Sequence, residues 1–224
     1  MNRRLLLFLI PLVLTGCWDT VEIENRAFVI SVGIDKSDGG QFAVSLAIPD
    51  TSAITGDSGG GGKMKTVEEA EDTSIPGAIG KIGEKTSRSL YFGHAKIVVF
   101  GGELLGDEKM FREALDFLEK NYQTGRKINI LAAEGTASEM LRGGKEGYPA
   151  VGLYVSELYR YKRNGAAGVS KKSFDELSRD MNTAGSTIIP RISLDGDGQA
   201  ELGGAAVIRG NRLAGFTGTG QGIE

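Results

Sequence analysis

The side chain whose chemistry depends most on where it stands is cysteine, and this chain of 224 residues carries one, Cys17. It closes Leu14-Thr15-Gly16-Cys17, behind Arg3-Arg4 and an apolar run from Leu5 to Leu14 that only Pro11 interrupts. A positive start, a short apolar stretch and small residues at the cleavage point form the pattern of a secretory signal. A bilayer core about 30 Å thick needs roughly 20 apolar residues to cross it, and this run is about half that length. The placement therefore marks Cys17 as a lipid attachment point rather than a structural or catalytic thiol. Residues 1–16 are the signal, and the cysteine becomes the first residue after cleavage.

The stretch L-T-G-C resembles a bacterial lipobox, whose cysteine is diacylated. Two acyl chains hold firmly where one is marginal, because each buried methylene contributes about 0.8 kcal/mol. The expected location is the outer face of a membrane, with the lipid as the anchor.

Other candidates for chemistry are thinner. His94 is the sole histidine, so a histidine metal cluster is excluded and a Ser-His-Asp hydrolase would have to run through it. It enters an apolar run, where a hydrogen-bonded structural role is expected. Gly83-Glu84-Lys85-Thr86 resembles the end of a phosphate-binding loop but lacks its leading glycine and its Gly-Lys pair. Asp195-Gly-Asp197-Gly198 has part of a calcium loop without the closing glutamate, which leaves a hairpin turn. Gly218-Thr-Gly-Gln-Gly222 lacks the setting of a dinucleotide fingerprint. Asp19, Glu22 and Glu24 stand beside the lipidated cysteine and read as a solvated stalk. Tyr154, Tyr159 and Tyr161 fall near helical spacing, which places aromatics in a core or, since tyrosine is enriched in interfaces, at a partner. No catalytic, cofactor-binding or metal-ligating set is assigned, and the chain is not expected to be an enzyme.

Composition agrees. Without residues 1–16, 24 basic side chains face 29 acidic ones, a net charge of −5; such a balance offers no footprint for nucleic acid. A single cysteine builds neither an internal disulfide nor a zinc cluster.

The elements that would position these residues follow from periodicity. Phe28, Ile30, Val32, Ile34 and then Phe42, Val44, Leu46, Ile48 alternate around Lys36–Gly40, which predicts a β-hairpin. Residues 49–66, with Gly59–Gly62 in a row, read as a loop. Ser74 and Pro76 start a helix to about Ser89, and Ala95–Phe100 is a buried strand. Asp107 caps an amphipathic helix carrying Met110, Phe111, Ala114, Leu115 and Leu118. Ile128–Ala133 is a strand, and Thr136-Ala-Ser-Glu139 is a capping box. Helices follow at 149–164 and 170–182, then strands at 187–194, 200–209 and 212–217, the last two joined at Gly210-Asn211. The fold class is α+β: a mixed sheet with packed helices in residues 17–198, and the opening of a second α+β domain, its remainder absent, in residues 199–224.

Several of these segments together carry a likeness. Leu14-Thr-Gly-Cys-Trp-Asp19 with Glu22-Ile-Glu24, Val29-Ile-Ser-Val-Gly-Ile-Asp35, Leu90-Tyr-Phe-Gly-His-Ala-Lys-Ile-Val-Val-Phe100 with Glu103-Leu-Leu105, and Gly204-Ala-Ala-Val-Ile-Arg-Gly-Asn-Arg-Leu-Ala-Gly215 resemble the Ger(x)C lipoproteins, the C subunits of spore germinant receptors. The resemblance implies a non-catalytic lipoprotein on the outer face of the spore inner membrane, needed for nutrient-triggered germination. Its implied partners are two integral membrane subunits, A and B, and the bilayer through acylated Cys17, with no nucleic acid and no cofactor. Whether the nutrient touches this subunit or acts on it indirectly stays open. The resemblance also implies three α+β domains in line, of which residues 199–224 begin the second and the third is missing.

Two other classes compete. A lipid-anchored solute-binding protein capturing the nutrient itself would need two lobes around a cleft, for which the chain is short. A surface hydrolase working through His94 would lose its activity on His94→Ala.

Overall fold

A computed structural model describes residues 25–49, 65–120, 125–145, 147–161 and 170–218. Cys17, the acidic stalk beside it, the glycine run at 59–62 and residues 219–222 lie outside the described residues.

In chain order the strands are β1 (Arg26–Phe28), β2 (Ser31–Lys36), β3 (Phe42–Pro49), β4 (Lys65–Asp72), β5 (Ser89–Tyr91), β6 (Ile97–Phe100), β7 (Asn129–Ala133), β8 (Ser186–Leu194), β9 (Ala200–Arg209) and β10 (Arg212–Thr217). The helices are α1 (Ile75–Lys85), α2 (Gly102–Gly106), α3 (Glu108–Lys120), α4 (Ala137–Gly143), α5 (Val151–Tyr161) and α6 (Phe174–Ala184). Eight strands form one mixed sheet in the order β10-β9-β8-β7-β6-β2-β3-β4, and β1 with β5 make a small parallel pair. The centre, β2-β6-β7-β8, is parallel. Both flanks are antiparallel.

Alternation along β6 divides the core in two. Val98 and Phe100 face one cluster, with Ile75, Ile82, Leu104, Phe111, Leu118, Phe174 and Leu177 from α1, α2, α3 and α6. Ile97 and Val99 face the other, with Met140, Leu141, Val151 and Val155 from α4 and α5. A strand buried on both faces reads as an unbroken apolar run, as Ile97–Phe100 does. The fold is α+β with a mixed sheet and packed helices, as expected.

Helix starts fall where the caps place them. Ser74 accepts from Gly77 N–H at 3.1 Å, and Asp107 Oδ1 from Met110 N–H at 3.2 Å. Thr136 and Ser173 each head a complete capping box. Helix α1 stops at Lys85, four residues short of the expected Ser89, because Thr86 leaves helical geometry and its N–H turns back to Gly83 O.

Strand β4 and the short α2 are additions to the sequence reading. β4 reads Lys-Thr-Val-Glu-Glu-Ala-Glu-Asp, charges that depress strand propensity in isolation but suit a sheet edge. The hairpin at Gly210-Asn211 takes φ of 58° and 60°, the left-handed pair that a tight two-residue turn requires. Residues 200–217, expected to open a second domain, form β9 and β10 of this same sheet, with Ala206 and Ile208 inside its first core cluster.

Candidate functional site

In open α/β sheets, ligands settle at the carboxyl ends of the parallel strands, where successive connections leave to opposite faces. Here that point lies between β6, which continues into α2 on one face, and β7, which continues into α4 on the other. The crevice is filled by the chain itself. Asp35, near the end of β2 and 5% exposed, accepts the N–H of Ala137 at 2.7 Å and of Ser138 at 3.0 Å. These are amides of the first turn of α4, which carry no intrahelical partner. Gly101, after β6, lies against the carboxylate so closely that a Cβ there would collide with Oδ1. Gly102 N–H donates to Gly135 O at 3.0 Å and closes the gap between the two connections.

A second carboxylate supports the first from the sheet edge. Glu69 of β4 accepts from Ser138 Oγ and from Arg142 Nη2, both at 2.7 Å, while Arg142 Nε donates to Ser138 Oγ at 3.1 Å. Burial pushes the Asp35 carboxyl up to about 6 against the pull of the two amides, and the charges of Glu69 and Glu139 add to the rise. Partial burial also works to raise Glu69, but its bonds to Ser138 and Arg142 outweigh it and hold the group below the ordinary carboxylate range. A raised pKa in a crevice is a mark of many active sites. At Asp35 both oxygens are committed to backbone, so the carboxyl is a brace between β2 and α4.

The residues singled out from sequence are scattered. His94 corrects the expectation of a hydrogen-bonded structural histidine: it is exposed, ahead of β6, with its ring 5.2 Å from Phe28 and 5.8 Å from Tyr91. Gly83–Thr86 is the end of α1, with Lys85 Nζ donating to Glu69 O at 3.0 Å. Asp195 Oδ1 accepts from Asp197 and Gln199 N–H at 3.0 and 2.8 Å, the hairpin turn expected there. Tyr154 and Tyr159 pack on the second core cluster, whereas Tyr161 is 75% exposed. Burial pushes the Tyr159 phenol well above its ordinary value, and its oxygen has no hydrogen-bond partner among the described residues. The structure brings none of these together. Asp35 went unassigned as a site residue because an acid ending an alternating strand reads as the start of a turn.

A cleft of about 500 Å³ beside α2 is lined by Lys36, Glu103, Asp107, Glu108, Lys109 and Arg212. Most of these charges have partners: Lys36 reaches Asp107 at 2.8 Å, Glu108 holds Arg112 at 2.7 Å, and Arg212 Nε donates to Gly106 O at 2.9 Å. Among the described residues no group of three or more His, Cys, Asp or Glu side chains could hold a metal ion.

These features define a mixed-sheet α+β module whose crevice at the carboxyl ends of the parallel strands is closed by its own carboxylate. Residues 19–194 match the family described as the spore germination protein N-terminal domain, and the chain belongs to that family. Among relatives from Bacillus subtilis (strain 168), YfkR is 35% identical over 138 residues, covering 59% of this chain and 35% of its own. Spore germination protein KC is 30% identical over 138 residues, 60% of this chain and 34% of its own. Spore germination protein A3 is 22% identical over 219 residues, 94% of this chain and 56% of its own. The chain thus spans about a third to a half of the relatives it matches. The crystal structure of the GerBC protein aligns with a TM-score of 0.34 at 18% identity, covering 84% of this chain and 51% of that one.

Proposed function

We propose that this chain is the lipid-anchored, non-catalytic C subunit of a spore germinant receptor. It is held through diacylated Cys17 at the outer face of the spore inner membrane, where it works with integral membrane A and B subunits. The observation that carries the reading is the family match beginning at residue 19, directly behind a signal that ends in Leu-Thr-Gly-Cys17. The closed crevice at Asp35 supports a role in assembly rather than in chemistry. The N-terminal domain runs from Cys17 through the β9–β10 hairpin, which completes its sheet.

Intact mass and membrane fractionation of the full chain in an endospore-forming bacterium test this, with and without Cys17→Ala. The expected mass is that of the chain cleaved before Cys17 plus diacylglycerol, in the membrane fraction with integral membrane proteins. The variant should be folded, soluble and impaired in nutrient germination. Membrane retention of Cys17→Ala at the level of the parent would overturn the anchor.

A further inference from the structure

The amino-terminal edge of the parallel strands carries a row of cations among carboxylates that have partners. Lys96 precedes β6, with its N–H on Ile30 O at 2.8 Å and its carbonyl accepting Asn129 N–H at 3.2 Å. Lys127 precedes β7, and Lys172 follows beside it, its carbonyl accepting Ile130 N–H at 2.7 Å. Arg88 leads into β5 next to Arg26 of β1, since Arg26 pairs with Ser89. The carboxylates along α6 and at the end of α3 are engaged: Glu119 by Arg126 at 3.0 Å, Asp180 by Lys172 at 2.8 Å, Asp175 by Arg179 at 2.6 Å, and Glu176 by the N–H and hydroxyl of Ser173, both at 2.8 Å. Arg88, Lys127 and Lys171 are exposed and form no ion pair among the described residues, although the charge of Lys171 acts on Glu176. Opposing charges between Cys17 and Arg26 in sequence are Asp19, Glu22 and Glu24, which lie outside the described residues.

At the same edge sits a cluster of partly exposed rings. Phe28, Tyr91 and His94 meet at centroid distances of 5.2 to 5.8 Å, and the Arg26 guanidinium lies 4.9 Å over Tyr91. Rings with a polar tip and cations on long stems are the side chains that settle at headgroup level. The chain also enters here: from Cys17 to Arg26 it reaches at most about 30 Å.

We infer that this edge, with its row of cations and the Phe28–Tyr91–His94 cluster, is a docking face for the headgroup layer of an anionic lipid membrane, setting the orientation of the domain on its tether. The inference rests on the lipid anchor at Cys17 for placing this edge nearest the bilayer. Each cation close to an anionic surface adds to attraction that falls off within a Debye length.

The test uses the full lipidated chain on vesicles of phosphatidylcholine, with and without an equal share of phosphatidylglycerol, followed by hydrogen exchange. Amides at 26–30, 88–97 and 125–128 should exchange more slowly on the anionic vesicles only, and less so as salt rises. The unlipidated Cys17→Ser chain should partition about tenfold or more in favour of anionic vesicles at low salt. Combined Arg88→Glu, Lys127→Glu and Lys171→Glu, all exposed and checked by an unchanged unfolding curve, should abolish that preference. An anchored chain with no slowing at these segments overturns the docking face and leaves the anchor standing. An unmodified Cys17 overturns the anchor, and the vesicle preference of the Cys17→Ser chain then decides the docking face alone. Capture by poly-glutamate with no preference for anionic vesicles overturns the inference in favour of an acidic protein partner.

Discussion

Asp35 shows how one side chain can close a site. Removing a buried acceptor leaves its donors unpaired, at about 1–3 kcal/mol each, so Asp35→Ala should cost about 2–5 kcal/mol by urea unfolding. The charge itself has a cost with a definite sign. A carboxyl whose pKa rises from 3.8 to about 6 on folding binds its proton more tightly in the native state. Stability from this group therefore falls as pH rises from about 4 to about 6, by about 3 kcal/mol in all, and is flat above. Asp35→Asn should flatten that stretch of the stability–pH curve relative to the parent, as unfolding midpoints across this window would show. Gly101→Ala forces a methyl onto the same carboxylate and should disturb the brace without touching its chemistry. Its expected signature is a loss of stability comparable to Asp35→Ala that does not add to it in the double variant.

Elements repeat the theme of self-coverage. As an edge strand, β4 invites pairing with a second sheet. Its outward carbonyls at Glu69 and Glu71 are instead taken by Lys85 and Lys81 of α1, at 3.0 and 2.8 Å. Replacing both lysines by alanine should leave the fold intact but raise concentration-dependent association, measured by sedimentation. Helix α6 depends on the reciprocal bonds of Ser173 and Glu176, and Ser173→Ala should cost about 1 kcal/mol, read from the thermal midpoint. The capped helices and the apolar strands β2, β3, β6 and β7 were legible in sequence because caps and periodicity are local signals. β4 was not: Glu68, Glu69, Glu71 and Asp72 argue against a strand until β3 supplies the pairing partner. Helix α2 was missed because five residues with glycine at both ends carry no helical periodicity, and its Leu104 and Leu105 become helical by burial against the sheet.

At the scale of the whole molecule, the sheet runs through β8 into β9 and β10, so the hairpin carries part of the core. Ending the chain at residue 198 would strip β8 of its antiparallel partner and remove Ala206 and Ile208 from the first cluster. Such a chain should unfold at lower denaturant and with a smaller slope than the intact one, since the slope follows the surface exposed. The same geometry puts chain entry, ring cluster and cation row at one edge and the closed crevice of Asp35 at the opposite one. A tethered domain built this way would turn its lysines toward the bilayer and its crevice away.

The sequence by itself determined the caps, most strands and helices, the α+β class and the likeness to a germination family. Each of these is written in neighbouring residues or in a period of two or three to four. Tertiary structure alone decided that Asp35 would meet amides at positions 137 and 138, that an acidic stretch would become the edge strand β4, and that residues 200–217 would extend the first sheet. It also decided that His94 would lie exposed against Phe28 and Tyr91. These outcomes join residues far apart in the chain, and they depend on which strand lies beside which, information that no local pattern holds.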